Sequence, residues 1–214
     1  MQATSVGVNA GVARSAAFER FAGVGGIVTG VSSVLYAVFF LLVMGALHDY
    51  LPSILLAIGG LAATAVLVAL HARVRSADAT FAAWALALGF IGQMGAAIHG
   101  VYGLAGVIDK APAGGVGSTA PNPVDPAGFL AFGVVGISLF VFSWLIVRSG
   151  QLPRGLGYLG YVLAVLLVAL FLGALLTNDT KSPFVLVPGG LASLIATPIW
   201  NIWLGVHFLR SASR

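Results

Sequence analysis

Apolar residues run through this chain in long blocks, without the strict alternation of strands or the spacing of a coiled coil, and the few charges fall between the blocks. Six uncharged stretches result, 21–48, 50–72, 79–108, 126–147, 155–178 and 182–209, each 22 to 30 residues long. At about 1.5 Å rise per residue even the shortest reaches about 33 Å, enough to cross a hydrocarbon core about 30 Å thick. The pattern predicts an all-α, polytopic bundle of six transmembrane helices. A polar segment, 1–20, precedes the bundle and a short tail, 210–214, follows it. The connections are brief except for 109–126, which holds four prolines and three glycines and no hydrophobic anchor. That outer loop is expected to be flexible.

Composition agrees with the pattern. Of 214 residues 59% are hydrophobic and 7% charged, against about 25% charged in a soluble domain. There is no cysteine, which removes disulfides, thiolate nucleophiles, iron-sulfur clusters and thiolate zinc sites together. The net charge is +4, but the charges stand singly or in pairs, so no nucleic-acid surface is expected.

Orientation explains the excess better. Arg14, Arg20, Arg73, Arg75, Arg148, Arg154, Arg210 and Arg214 fall on one side of a six-span layout, and only Lys110 and Lys181 on the other. Asp49, Asp109, Asp125 and Asp179 lie on the lysine side. Short cytoplasmic loops carry the Lys/Arg excess, so both termini are expected in the cytoplasm. The first apolar run is near twice the length of a signal-peptide core and has no cleavage site close behind, so that span is expected to be retained. Usage of Ala, Gly, Val and Arg over Lys fits a GC-rich bacterial genome, hence a multi-pass protein of the bacterial plasma membrane.

Several features inside the spans invite packing or chemistry. Gly92, Gly95, His99, Tyr102 and Gly106 share one stripe of the third span, which should pack against neighbours and turn His99 into the bundle. Gly26 and Gly30 make a similar face on the first span. Pro198 has no amide hydrogen to offer Leu194, so the sixth span, which also holds Pro188, is expected to kink, with Asn201 available to freed backbone groups. The long loop divides the chain into two three-span halves of opposite orientation, the arrangement of many transporters. Only a Leu-Pro opening and a late histidine recur in both halves, and their spacing differs.

From Ile146 to Gly157 the sequence reads IVRSGQLPRGLG. This segment resembles the signature loop of the bacterial family catalogued as domain of unknown function 4386. The resemblance implies a six-span protein of about this length and assigns no residue a catalytic role. The turn is also intelligible physically. Two arginines hold a short cytoplasmic loop, Gly150 ends one helix and Pro153 starts the next.

Candidate chemistry is sparse. No Asp, Glu, Lys or Arg lies inside a stretch, and these are the usual proton relays and coupling-ion ligands. Serine proteolysis by Ser138 and His207 fails on depth, because the two lie about 20 Å apart along parallel helices. Bis-histidine haem needs two imidazoles at one depth on facing helices. His48 and His99 differ by about 10 Å, and His71 and His207 sit at the headgroup level. What remains is two sets of polar residues. Trp200, Asn201, His207 and Arg210 would line a cytoplasmic-side pocket for a lipid headgroup or quinone. Gln93 and His99, with Tyr102 near the outer end, would form an outward-side pocket. The expected function is binding of a hydrophobic small molecule, lipid or quinone, or service as an accessory subunit or homo-oligomer in a membrane complex. The alternative is a small haem/redox or transport protein using His99 and the kinked sixth span.

Overall fold

A computed structural model describes the backbone of residues 6–42, 46–108 and 124–213, with side chains over 16–42, 50–105 and 124–213. The side chains of Arg14, His48 and Asp49, the surroundings of Gly106, and the whole of Asp109, Lys110, Arg214 and the rest of the long outer loop up to residue 123 lie outside this description. Among the described residues there is no strand. The helices are α1 (Val6–Leu42), α2 (Ala46–Val74), α3 (Ala79–Ile108), α4 (Val135–Ser149), α5 (Arg154–Thr177), α6 (Pro183–Leu191) and α7 (Thr197–Ser211). A 3-10 turn, Pro126–Gly128, and a π-helix, Phe129–Val134, lead into α4, and a second π-helix, Ala192–Ala196, joins α6 to α7. Among the described residues six spans are long and apolar enough to cross a membrane, with α6, the second π-helix and α7 acting as the sixth.

Local chemistry sets the ends. Asp78 caps α3, its Oδ1 accepting from the backbone N–H groups of Thr80 and Phe81 at 3.1 Å, two of the donors a helix start leaves unpaired. Gly150 follows α4 at φ 65° and Pro153 precedes α5, as the loop sequence predicts. The kink expected from Pro198 takes the form of a π-helix. Leu194 loses its i+4 donor, and the ladder widens by one residue so that Thr197 N–H bonds the Ala192 carbonyl five residues back. The third span, by contrast, is one continuous helix, so the two spans that an inverted repeat would pair differ.

The spans form a closed ring in chain order. The first touches the second, each then touches the next, and α7 returns to lie along α1. The α1–α7 seam is tight. A Cβ on Gly26 would stand 2.7 Å from the Asn201 carbonyl oxygen, and one on Gly205 would stand 2.5 Å from the Gly23 carbonyl oxygen. Small residues let these backbones touch where lipid supplies no hydrophobic push.

The two ends of the ring are packed differently. At the end bearing the arginines, Leu70, Phe142, Leu145, Leu156, Leu204 and Phe208 are fully buried in one cluster. Glu19 and Arg73 pair there through two hydrogen bonds, 2.8 and 2.7 Å, and Arg20 donates to the Ala212 carbonyl at 3.0 Å. Both side chains of the ion pair are mostly shielded from solvent, so its loss exceeds that of a surface pair. Glu19→Gln should cost about 1 to 2 kcal/mol. Exchanging the two residues, Glu19→Arg with Arg73→Glu, should recover most of it in thermal unfolding, and no recovery would mean the pair itself is not what matters.

Candidate functional site

Toward the opposite, distal end, which carries Tyr50, Asp125 and the turn from Thr177 to Ser182, the ring is hollow. A cavity of about 210 Å³ lies on its axis, lined from all six spans. Its floor is Val66 and Leu67 of α2, Leu139 of α4 and Leu163 of α5, directly above the buried cluster. Its upper wall carries Tyr36 and Phe40 of α1, His99 of α3, Phe132 and Leu186.

Gln93, His99, Trp200 and Asn201 all line this one space. The two pockets expected from sequence are therefore a single cavity as far as these four residues are concerned. The second π-helix packs against both α1 and α5, and the helix that follows it brings Trp200 and Asn201 to the same cavity that α3 lines. His207 and Arg210 lie beyond Asn201 toward the arginine end and are not part of the lining. Tyr102 is 36% exposed on the outer surface of α3 and does not line it either.

Several polar side chains around the cavity are already engaged. Trp200 Nε1 donates to the Leu156 carbonyl at 3.1 Å, tying α7 to α5. Asn201 Nδ2 donates to the Thr197 carbonyl at 3.0 Å. Thr29 Oγ1 donates to the Gly25 and Gly59 carbonyls. Ser138 Oγ donates to the Ala85 carbonyl at 2.7 Å, a bond that holds α4 to α3 and leaves the hydroxyl a structural part. Ser33 Oγ donates to the Ser193 carbonyl at 2.9 Å and clasps α1 to the π-helix.

His99 differs. It is 5% exposed, and its Nδ1 is buried with no hydrogen-bond partner among the described residues. Leaving such an atom unpaired costs about 1 to 3 kcal/mol, so native structures rarely tolerate it without a reason. Gln93, half-buried on the same helix, makes no side-chain hydrogen bond among the described residues. Beside this pair sits an acid that the sequence places in the outer loop. Asp125 is 1% exposed. Its Oδ1 accepts from Leu130 N–H at 2.8 Å and its Oδ2 from Ala131 N–H at 2.9 Å, so the carboxylate caps the start of the fourth span. Ala127 at φ 55° and Gly128 at φ 67° fold the chain back to make that reach possible. The carboxylate is within electrostatic range of His99.

Sequence reasoning missed Asp125 and the α1 side of the cavity. Thr29, Ser32, Ser33 and Tyr36 recur at spacings of three and four, a polar stripe on an otherwise apolar span, and that stripe was the available signal. Among the described residues no three His, Asp or Glu side chains converge as metal ligands would. No family model matches the chain, and neither a curated protein nor a solved structure matches it.

Proposed function

We propose that this protein binds a hydrophobic small molecule of the lipid or quinone class in the cavity at the centre of its six-helix ring. The observation that carries the reading is His99, an imidazole that lines a largely apolar space and whose Nδ1 is buried without a partner among the described residues. Pockets for small lipophiles have this makeup, an apolar lining with a few convergent polar groups. The setting belongs to the same proposal. The chain lies in a bacterial plasma membrane with the arginine-bearing end and both termini in the cytoplasm, as the basic-residue asymmetry supports. The resemblance of Ile146 to Gly157 to the domain of unknown function 4386 family is part of this reading and gives no residue a role.

Native mass spectrometry of the full chain, extracted gently from its own membrane, tests it. A bound lipophile in one-to-one ratio is expected. Gly59→Leu should abolish it, because a Cβ at Gly59 meets only Ser32 Cβ at 3.4 Å and the larger side chain would grow into the cavity. A ligand-free chain carrying a stoichiometric protein partner would reject the reading and favour an accessory subunit.

A further inference from the structure

Among the described residues the ring is not sealed all the way to its distal end. α1 lies along α7 and touches the second π-helix, but it parts from α6. Among the described residues the last hydrogen bond between the first and sixth spans is the Ser33–Ser193 bond. Beyond it α6 leans on α5, where Gly173 lets the Phe184 backbone come close. Among the described residues the gap so opened runs into the cavity. Phe40 and Leu41 border it from α1, and Leu186 and Gly190 from α6. Leu41 and Leu186 are exposed. In a membrane this slot faces hydrocarbon.

Size and charge restrict what can use it. A space of about 210 Å³ exceeds the cavity of about 150 Å³ that takes a benzene ring and falls short of the 300 Å³ and upward typical of drug-sized ligands. It holds a ring-sized head and not a whole lipid. No Asp, Glu, Lys or Arg is among the lining residues, so a charged head would meet no permanently charged counter-ion. An anion would also meet the field of Asp125. That carboxylate is committed to Leu130 and Ala131 N–H groups, which leaves it poorly placed to serve a cation. A neutral oxygen, by contrast, matches what His99 and Gln93 lack.

We infer that the slot between α1 and α6 is a lateral portal, through which an alkyl or prenyl lipid inserts an uncharged, oxygen-bearing ring head to hydrogen-bond His99. The tail stays in the slot and continues into the bilayer. The closed cluster at the arginine end stops the head from passing through, so the site is a dead-end berth reached from one side. This inference rests on the cavity reading and adds to it the route, the orientation and the chemistry of the head.

Three ten- to twelve-carbon single-chain compounds test it on the full chain in phosphatidylcholine nanodiscs: a decyl benzoquinone, dodecanoate and dodecyltrimethylammonium. The quinone should bind saturably and at least tenfold more tightly than either ion. His99→Leu should weaken it about tenfold, and His99→Gln, which keeps a hydrogen-bonding group, should restore much of that loss. Gly190→Trp should slow association tenfold or more without lowering the unfolding temperature, since nothing lies within 4 Å of a Cβ there. Tighter binding of an ion that Gly59→Leu abolishes would overturn the inference and leave the cavity reading intact. So would an association rate that Gly190→Trp leaves unchanged. Binding of none of the three, or binding of all three that Gly59→Leu does not touch, would overturn both.

Discussion

Replacing Asp125 by alanine should destabilise the protein by about 3 kcal/mol or more. The carboxylate accepts two backbone hydrogen bonds at 2.8 and 2.9 Å in a site 1% exposed, and bonds to charged groups contribute about 1.5 to 3 kcal/mol each. Its removal also strands Leu130 and Ala131 N–H groups at the start of a span, where lipid offers no substitute and the helix dipole favours a negative charge. Asp125→Asn keeps one acceptor oxygen and should fall between wild type and alanine. In thermal unfolding followed by tryptophan fluorescence, alanine should lower the midpoint by about 6 to 12 °C. Hydrogen exchange should quicken over 129–135 well before it does in α5. A midpoint within a degree of wild type would show that the cap is dispensable.

The second large effect is expected at the seam between α1 and α7. Gly205→Val places atoms where the Gly23 carbonyl oxygen already stands, 2.5 Å from the Cβ position, with Ile27 N at 3.2 Å. Gly26→Val meets the Asn201 carbonyl oxygen at 2.7 Å and Gly205 Cα at 3.0 Å. These obstacles are backbone and cannot rotate away, so the helices must separate. The cost should reach about 3 kcal/mol, at or above the usual range for overpacking. Each variant should show little monodisperse protein in gentle detergent. The double variant should be no worse than either alone, because both force apart the same contact. Gly190→Val is the control, a glycine of the same span with open space around it, and should behave as wild type. Equal loss in all three would point to a general intolerance of valine in these helices and away from the seam.

The unpaired His99 nitrogen and the Asp125 cap sit at one end of the molecule, and their proximity gives the distal end two layers. The cap fixes where the fourth span begins, and so where Ala131 and Phe132 stand in the cavity wall. Disturbing Asp125 should therefore alter ligand affinity as well as stability, whereas Glu19→Gln, at the other end, should alter stability alone.

Much of this protein was legible in its sequence. Six uncharged stretches of sufficient length meant six helices, because a chain in hydrocarbon has few other ways to pair its backbone. Gly26 announced a close approach of helices, Pro198 a break in the sixth span and Gly150 the end of the fourth, each through a rule of backbone geometry that acts within a turn or two. The shape of the site was not legible. Whether the break at Pro198 swings Trp200 and Asn201 toward Gln93 and His99, or away, depends on which helices the sixth span lies between. That is set by the closure of the ring, a matter of contacts between residues more than a hundred positions apart. Asp125 read as one more outer charge, because sequence counts a carboxylate by its place between spans and not by the two amides it reaches. The same holds for the portal. No residue on α1 or α6 encodes a gap, which arises only because α6 rests on α5 while α1 follows α7.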